Sequence, residues 1–386
     1  MSYNKTTKVQ HFLKTVAYRS DGRVLKWVKS LQKHGYFSIV SVVEDSNQNK
    51  KEQSDGAAIE YESLSWRKFF KQRNGYPVKI IEYLLKTIKS LRRHDDVDIL
   101  IFHDVQQYLN LIFVLFLRIG RKKFVVWDVH ELPHDILMRF YLTRFFLKSI
   151  LERIDLIIYT NNERRDYMID KIGFDDTGRC FVLNNYPDTF FNRSAPQQLP
   201  EHVRNWLGEE RFILWMGAAN KARNFDTFIQ AYDKFKSNFK LIIIGKIDEI
   251  FRNEIDALAE RDRVFNDFVP QVDIIKYVDN AYFSVVLYND RSMNNFLCEP
   301  NRLYQLINRG VPCIVGHNPT LSRVITSNEA GIVLPDSGTD ARSMIGAFDE
   351  MILKREVFYD KIRDNDGMYS WDEQFDVLGE MINRRQ

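Results

Sequence analysis

Residues 298–315, CEPNRLYQLINRGVPCIV, constrain the fold more than any other stretch of the chain. Leu303, Leu306 and Ile307 recur at three- and four-residue spacing, which predicts a short helix with one apolar face. Pro300 suits the first helical position and Glu299 the cap before it. Gly310 ends the helix and Pro312 prevents its return, so Cys313-Ile314-Val315 reads as a buried strand. A helix that starts where a parallel sheet ends aims free N–H groups and a positive dipole end at whatever binds there, which favours a phosphate.

The same alternation runs through the rest of the chain. Residues 8–18 predict a first strand. Val24, Leu25, Val28 and Leu31 then mark an amphipathic helix stopped at Gly35, and FSIVSVV is a second strand, completing a βαβ unit. Residues 44–75 are polar and read mostly as loop. Residues 76–94 predict a helix with Val78, Ile81, Leu84, Leu85, Ile88 and Leu91 on one side and Lys79, Lys86, Lys89, Arg92 and Arg93 elsewhere. Such a basic helix can lie on an anionic membrane; a core-facing helix with a solvated back is the expectation here. DVDILIFHDV (96–105) is a buried strand ending at His103-Asp104, and FVVWDV is another, with His130-Glu131 just past its end. Carboxyl ends of parallel strands are where open α/β sheets bind ligands. Residues 139–154 mix base and aromatic, and both a membrane-touching helix and a core helix fit them. Strand, loop and helix follow over 155–174, and FVLNNYPD (181–188) leaves the first domain. Pro196 and Pro200 lie in the expected linker, 192–208.

The second half opens with the strand FILWMG, a loop holding Gly217, Lys221 and Arg223, and a helix from Asn224 that turns Phe225, Phe228, Ile229 and Tyr232 inward. Two cations beside a helix start suit a diphosphate. KLIIIGK is the next strand, with Gly245 at its end. At 386 residues the chain is long for one core and comfortable for two domains. The expected divisions are 1–195 and 205–365. Cys180, Cys298 and Cys313 are too few and scattered for a disulfide frame or zinc site and suggest a reducing compartment. The polar N-terminus shows no signal-peptide core, and the most apolar run, 108–117, stops at Arg118, short of the roughly 20 residues a membrane span needs. Residues 1–200 carry 32 Lys+Arg against 23 Asp+Glu, whereas residues 201–386 carry 23 against 29. A basic and an acidic half suggest different partners. The charge is not gathered into an aromatic-laced patch, so nucleic acid is not expected. No Gly-x-Gly-x-x-Gly follows the first strand, which argues against a nicotinamide dehydrogenase.

The segment PNRLYQLINRGVPCIV resembles the PNKLFEYLAAGKPVI-type signature of the family 4 retaining glycosyltransferases of the GT-B architecture. The resemblance covers most of the chain. GAANKARNFDTFIQAY is similar to the family's GRLVPEKGVDLLLEAF, WDVHELP to its YDAHEL element, DILIFHD to DVVHVHD, SDGRV to its DPRV turn, and YSWDE to its FSWE ending. It implies an α/β fold of two Rossmann-like domains, parallel sheets facing across a cleft, with a terminal helix at about 368–386 returning to the first domain. It further implies a donor site of Gly217, Gly245, Phe268, Glu299, Pro300, Asn301, Arg302 and Gln305, with His130, Lys221 and Arg223 as catalytic residues. Arg23, His103 and Glu131 fall on the acceptor side, Arg23 being equally readable as a helix-start salt bridge. The implied donor is a UDP- or GDP-linked sugar and the acceptor a glycan or lipid-linked glycan in cell-surface polysaccharide synthesis. The expected setting is cytoplasmic, with peripheral contact to an anionic membrane through the basic first domain. Neither a metal nor a separate cofactor is expected. The chain departs from the pattern at Ala218, where the family has Arg, and at Gln305, where it has the ribose-binding Glu. These departures keep a non-catalytic GT-B subunit stabilising a partner transferase as an alternative, and the shared architecture keeps a nucleotide-sugar epimerase as another.

Overall fold

In the computed structural model, residues 6–66, 76–116, 123–176, 178–363 and 369–385 are described. The end of the polar stretch 44–75, Arg118, and residues 364–365 and 368 of the expected domain limits lie outside them. The chain divides into two compact units, Met1–Asn184 with Asp372–Gln386, and Asn185–Trp371. The crossing comes at Asn184, about ten residues before the linker that the prolines suggest.

The first unit is built on an eight-stranded sheet. Its strands are β1 (Lys8–Leu13), β2 (Phe37–Glu44), β3 (Lys50–Ser54), β4 (Ala57–Ser63), β5 (Ile99–His103), β6 (Phe124–Val129), β7 (Leu156–Tyr159) and β8 (Cys180–Val182). They lie in the order β3-β4-β2-β1-β5-β6-β7-β8. All pairs are parallel except β3 with β4. This hairpin corrects the loop reading of 44–75. Asp55 and Gly56 both take positive φ, 51° and 73°, the conformation a tight two-residue hairpin turn demands. Alternating Ile59 and Tyr61 then enter the core, and β4 continues the sheet beside β2. The terminal helix Trp371–Arg385 buries Phe375, Leu378 and Ile382, with Phe375 edge-on to Trp27 at 5.1 Å.

The second unit carries a six-stranded, wholly parallel sheet of β9 (Phe212–Met216), β10 (Lys240–Ile244), β11 (Val264–Asp267), β12 (Phe283–Val286), β13 (Cys313–Val315) and β14 (Gly331–Val333), ordered β11-β10-β9-β12-β13-β14. Its strands are nearly continuous apolar runs because both faces are covered. Phe212, Leu214 and Met216 join one core with Leu303, Leu306 and Ile307, while Ile213 and Trp215 join another with Phe225, Phe228 and Phe348. The helix after Pro300 spans only Asn301–Ile307, and Pro300 takes the capping position, not the first helical one. Glu299 does not cap it: its carboxylate accepts a hydrogen bond from the Tyr304 hydroxyl. Cys313–Val315 is the expected strand.

Each sheet has a point where strand order reverses, between β1 and β5 in the first unit and between β9 and β12 in the second. Chain leaving the strands diverges there and opens a crevice beyond their carboxyl ends.

Candidate functional site

In the second unit the reversal lies beside Gly217, which follows β9 with φ +94°. Its N–H donates to Ile244 O at 2.7 Å, drawing the β9 loop against the β10 loop. A Cβ on Gly245 would fall 2.4 Å from Gly217 O, so only glycine permits that approach. A Cβ on Gly217 would lie 2.1 Å from Arg223 Nη1 and 2.7 Å from Arg302 Nη1. Two guanidinium groups thus converge on the space this glycine leaves open. Both also lie over the Tyr288 ring, at 5.4 and 5.1 Å.

The loop carrying Arg223 is fixed from beneath. Asn289 N donates to Ala222 O at 2.9 Å and Asn289 Nδ2 to Lys221 O at 3.1 Å. Asn224 adopts φ +48° and donates through Nδ2 to Ser337 O at 2.7 Å. Arg302 is buried, and Nη1 donates to Met216 O. Its Nε and Nη2 are buried without a hydrogen-bond partner. Burial, with the charge of Arg223 nearby, pulls Arg302 down to about 10 although Tyr288 acts the other way. A buried cation with unfilled donors beside a second cation is costly unless an anion completes it. Donors held ready in this way are what a developing oxyanion needs.

The other expected donor residues are dispersed more widely. Gln305 and Glu299 are buried, and Asn301 Oδ1 is buried without a partner. Phe268 is 81% exposed at the end of β11. Lys221 is exposed, and no described contact joins its side chain to the arginine pair. The cation beside Arg223 is therefore Arg302, reached from the helix after β12. Tyr288 escaped the sequence reading because nothing in FSVVLYND distinguishes it from a core aromatic.

In the first unit the reversal gathers a polar network inside the sheet. Asp128 on β6 accepts from Arg23 Nη2 at 2.7 Å, His103 Nδ1 at 3.1 Å and His130 Nε2 at 2.7 Å. His103 Nε2 meets His11 Nδ1 at 2.9 Å, and His11 Nε2 meets Ser38 Oγ at 3.3 Å. With Asp128 as the acceptor, one consistent assignment follows. His103 carries its proton on Nδ1 and accepts at Nε2 from His11, which accepts in turn from Ser38. Burial works against the Asp128 carboxylate, but Arg23 and His130 overcome it and hold the group well below the usual range. Burial keeps His103 low despite Asp128, and burial and His103 keep His11 lower still. His130 goes the other way: burial opposes its charge, and Asp128 more than compensates.

His130 reaches a small cavity of about 60 Å³ lined by Leu13, Lys14, Asp21, His103, Asp104, Gln106 and itself. Its carbonyl is held by Arg164. Glu131 is exposed just beyond. Arg23, in the first turn of the helix Gly22–Lys33, donates to Asp128 and to Leu183 O at 3.0 Å, so the helix-start salt bridge is formed, and it is buried. Ligand atoms of His103, Asp128 and His130 lie within 4.8 Å of one another. A metal ion there would have to displace two ring N–H donors and face the Arg23 guanidinium. Asp128 and His11 were legible only as polar residues inside strand-like runs.

Residues 201–365 match the family described as Glycosyl transferases group 1. A comparison with curated proteins found no match. Among solved structures, the chain is similar to sucrose-phosphate synthase from Thermosynechococcus elongatus, with 13% identity, 98% of each chain covered and a TM-score of 0.73. It is similar to the trehalose-6-phosphate protein of E. coli bound with UDP-2-fluoro glucose, with 13% identity, 97% of this chain and 99% of that chain covered, and a TM-score of 0.71. Anabaena HepE in complex with UDP gives 10% identity, 98% and 100% coverage, and a TM-score of 0.69. The chain therefore has the GT-B fold, and residues 201–365 of its second unit match the glycosyl transferases group 1 family.

Proposed function

We propose that this chain is a retaining, family 4-type glycosyltransferase that moves a hexosyl group from a nucleotide-diphosphate donor to a glycan or lipid-linked acceptor. The reading extends to cell-surface polysaccharide synthesis at the cytoplasmic face of a membrane. One observation carries it: Arg302, buried with Nε and Nη2 unfilled, shares the space above Gly217 with Arg223 at the strand-order reversal. Breaking the sugar–phosphate C–O bond leaves charge on the departing diphosphate, and two guanidinium groups stabilise it without a metal. In the same step the acceptor oxygen bonds to the sugar and its proton passes to the leaving phosphate. The resemblance gives His130 the task of hydrogen-bonding the transferred sugar, and Asp128 keeps its Nε2–H turned inward, leaving the other ring nitrogen for that role. UDP is the first donor nucleotide to test, since two structural relatives hold UDP or a UDP-sugar.

Titration calorimetry with UDP, GDP and their sugars should show binding to one nucleotide that falls at least tenfold in Arg223→Ala. Failure of every nucleotide to bind sinks the proposal. Gln305, buried where the resemblance expects a glutamate, favours a second reading, a non-catalytic subunit. Turnover by the purified chain alone removes that reading; co-purification with an active transferase, without turnover alone, supports it.

A further inference from the structure

We propose that the start of the helix Tyr141–Leu151 is a docking surface for an anionic lipid bilayer. Phe140, Tyr141, Leu142, Phe145 and Phe146 are 54, 78, 63, 54 and 44% exposed, while Leu147, Ile150 and Leu151 at the other end are buried in the first unit. The helix is anchored by its last turns and presents its first two to solvent. The Phe145 and Phe146 rings touch edge to face at 6.0 Å, so the apolar surface is continuous there. Phe116 is also exposed and lies under the Arg153 guanidinium at 4.7 Å.

Within this stretch of the chain the charge has one sign, with Asp135 just before it and Glu152 just after it, the latter 3.8 Å from Lys148. Residues 136–151 contain Arg139, Arg144 and Lys148 and no acid. Aromatic and aliphatic side chains interleaved with cations are the chemistry of a helix seated at the headgroup level of an anionic leaflet. The longer basic helix Tyr76–Arg93 is the weaker candidate, because three of its five cations are paired within the unit. Lys79 pairs with Glu44 and Asp45, Lys86 with Glu62 and Glu82, and Arg93 with Glu60 and Glu62. A second copy of the chain is a poorer occupant of the Tyr141 patch. A two-fold contact sets the patch against itself, bringing cations to both sides with no acid from this helix to meet them. A bilayer of anionic lipid accepts the rings and neutralises the cations together.

This inference does not depend on the catalytic reading. The test is flotation of the full chain with phosphatidylcholine vesicles holding about 30% phosphatidylglycerol, and with vesicles of phosphatidylcholine alone. Wild type should float with the anionic vesicles at low salt and less so at high salt. Tyr141→Ser with Phe145→Ser should weaken binding at least tenfold, and Arg144→Glu should remove the preference for anionic vesicles. All three positions lie at or near the surface, and circular dichroism melts confirm that the variants fold. Three results overturn the proposal: no binding by wild type, equal binding by wild type and both variants, or lipid-free dimerisation that the serine variant abolishes.

Discussion

Replacing Arg302 with Met separates two quantities that the native side chain sets against each other. The substitution removes a buried cation with two unfilled donors and keeps an apolar stem of similar length. Exchanging a poorly compensated buried charge for an apolar side chain is commonly neutral or stabilising. The ligand-free melting temperature should therefore hold or rise, while the shift produced by the cognate nucleotide diphosphate disappears. A large loss of ligand-free stability would mean that Arg302 is structural. The two glycines beside it should divide in a similar way. Gly245→Ala drives a Cβ into the backbone of Gly217, which cannot yield, and should destabilise by about 2 kcal/mol or more. In Gly217→Ala the clash is with the mobile ends of Arg223 and Arg302, so affinity should suffer more than folding beyond the cost of its positive φ. Paired melts and nucleotide titrations check both. The network around Asp128 has its own signature in acid and base. His11 and His103 are held neutral, so below the unfolded histidine value of about 6.5 the unfolded chain takes up two more protons there than the native one. Stability then falls with falling pH. His130 is held charged, so above that value stability is lost as pH rises through its folded value. Arg23, Asp21, Asp104 and Asp128 surround these rings, and Asp128, held well below the usual carboxylate range, stays charged across this window. Urea midpoints should peak near pH 6.5, and His130→Gln should flatten the upper arm only.

At the scale of elements, the apolar runs declared themselves. ILIFH, FVVWDV, FILWM and KLIII are strands because buried parallel sheet admits little else, and the positions of their carboxyl ends followed directly. The β3–β4 hairpin did not show itself, since KKEQS is polar on both faces of an edge strand and only Asp55-Gly56 announces the turn. Burial within helices was the other gap. Ile81 and Leu85 follow the apolar spacing of their helix yet are exposed, and Gln305 looks solvated by composition yet is buried. Spacing along a helix identifies a stripe, but only its neighbours decide how far around that stripe the core extends. The arginine pair was half legible for the same reason. Arg223 stood out in a loop, whereas Arg302 looked like part of a helix start until the fold brought its guanidinium beside Gly217.

The molecule has two cores with separate strand-order reversals, and its last element belongs to the first of them. Phe375 packs on Trp27, and Leu378 and Ile382 are fully buried. Phe375→Ala should cost about 3–5 kcal/mol of first-unit stability. In calorimetry this should lower one transition and leave the other, from residues 185–371, in place. A uniform shift of the whole trace would contradict it. Because the polypeptide starts in the first unit, leaves at Asn184 and comes back only at Asp372, the second unit is an insertion in sequence terms. On the ribosome the second unit can close as soon as Trp371 has emerged, while Met1–Asn184 gains the packing of Phe375, Leu378 and Ile382 only afterwards. Truncation ahead of Phe375 therefore strands a segment that was translated before the whole of the second unit.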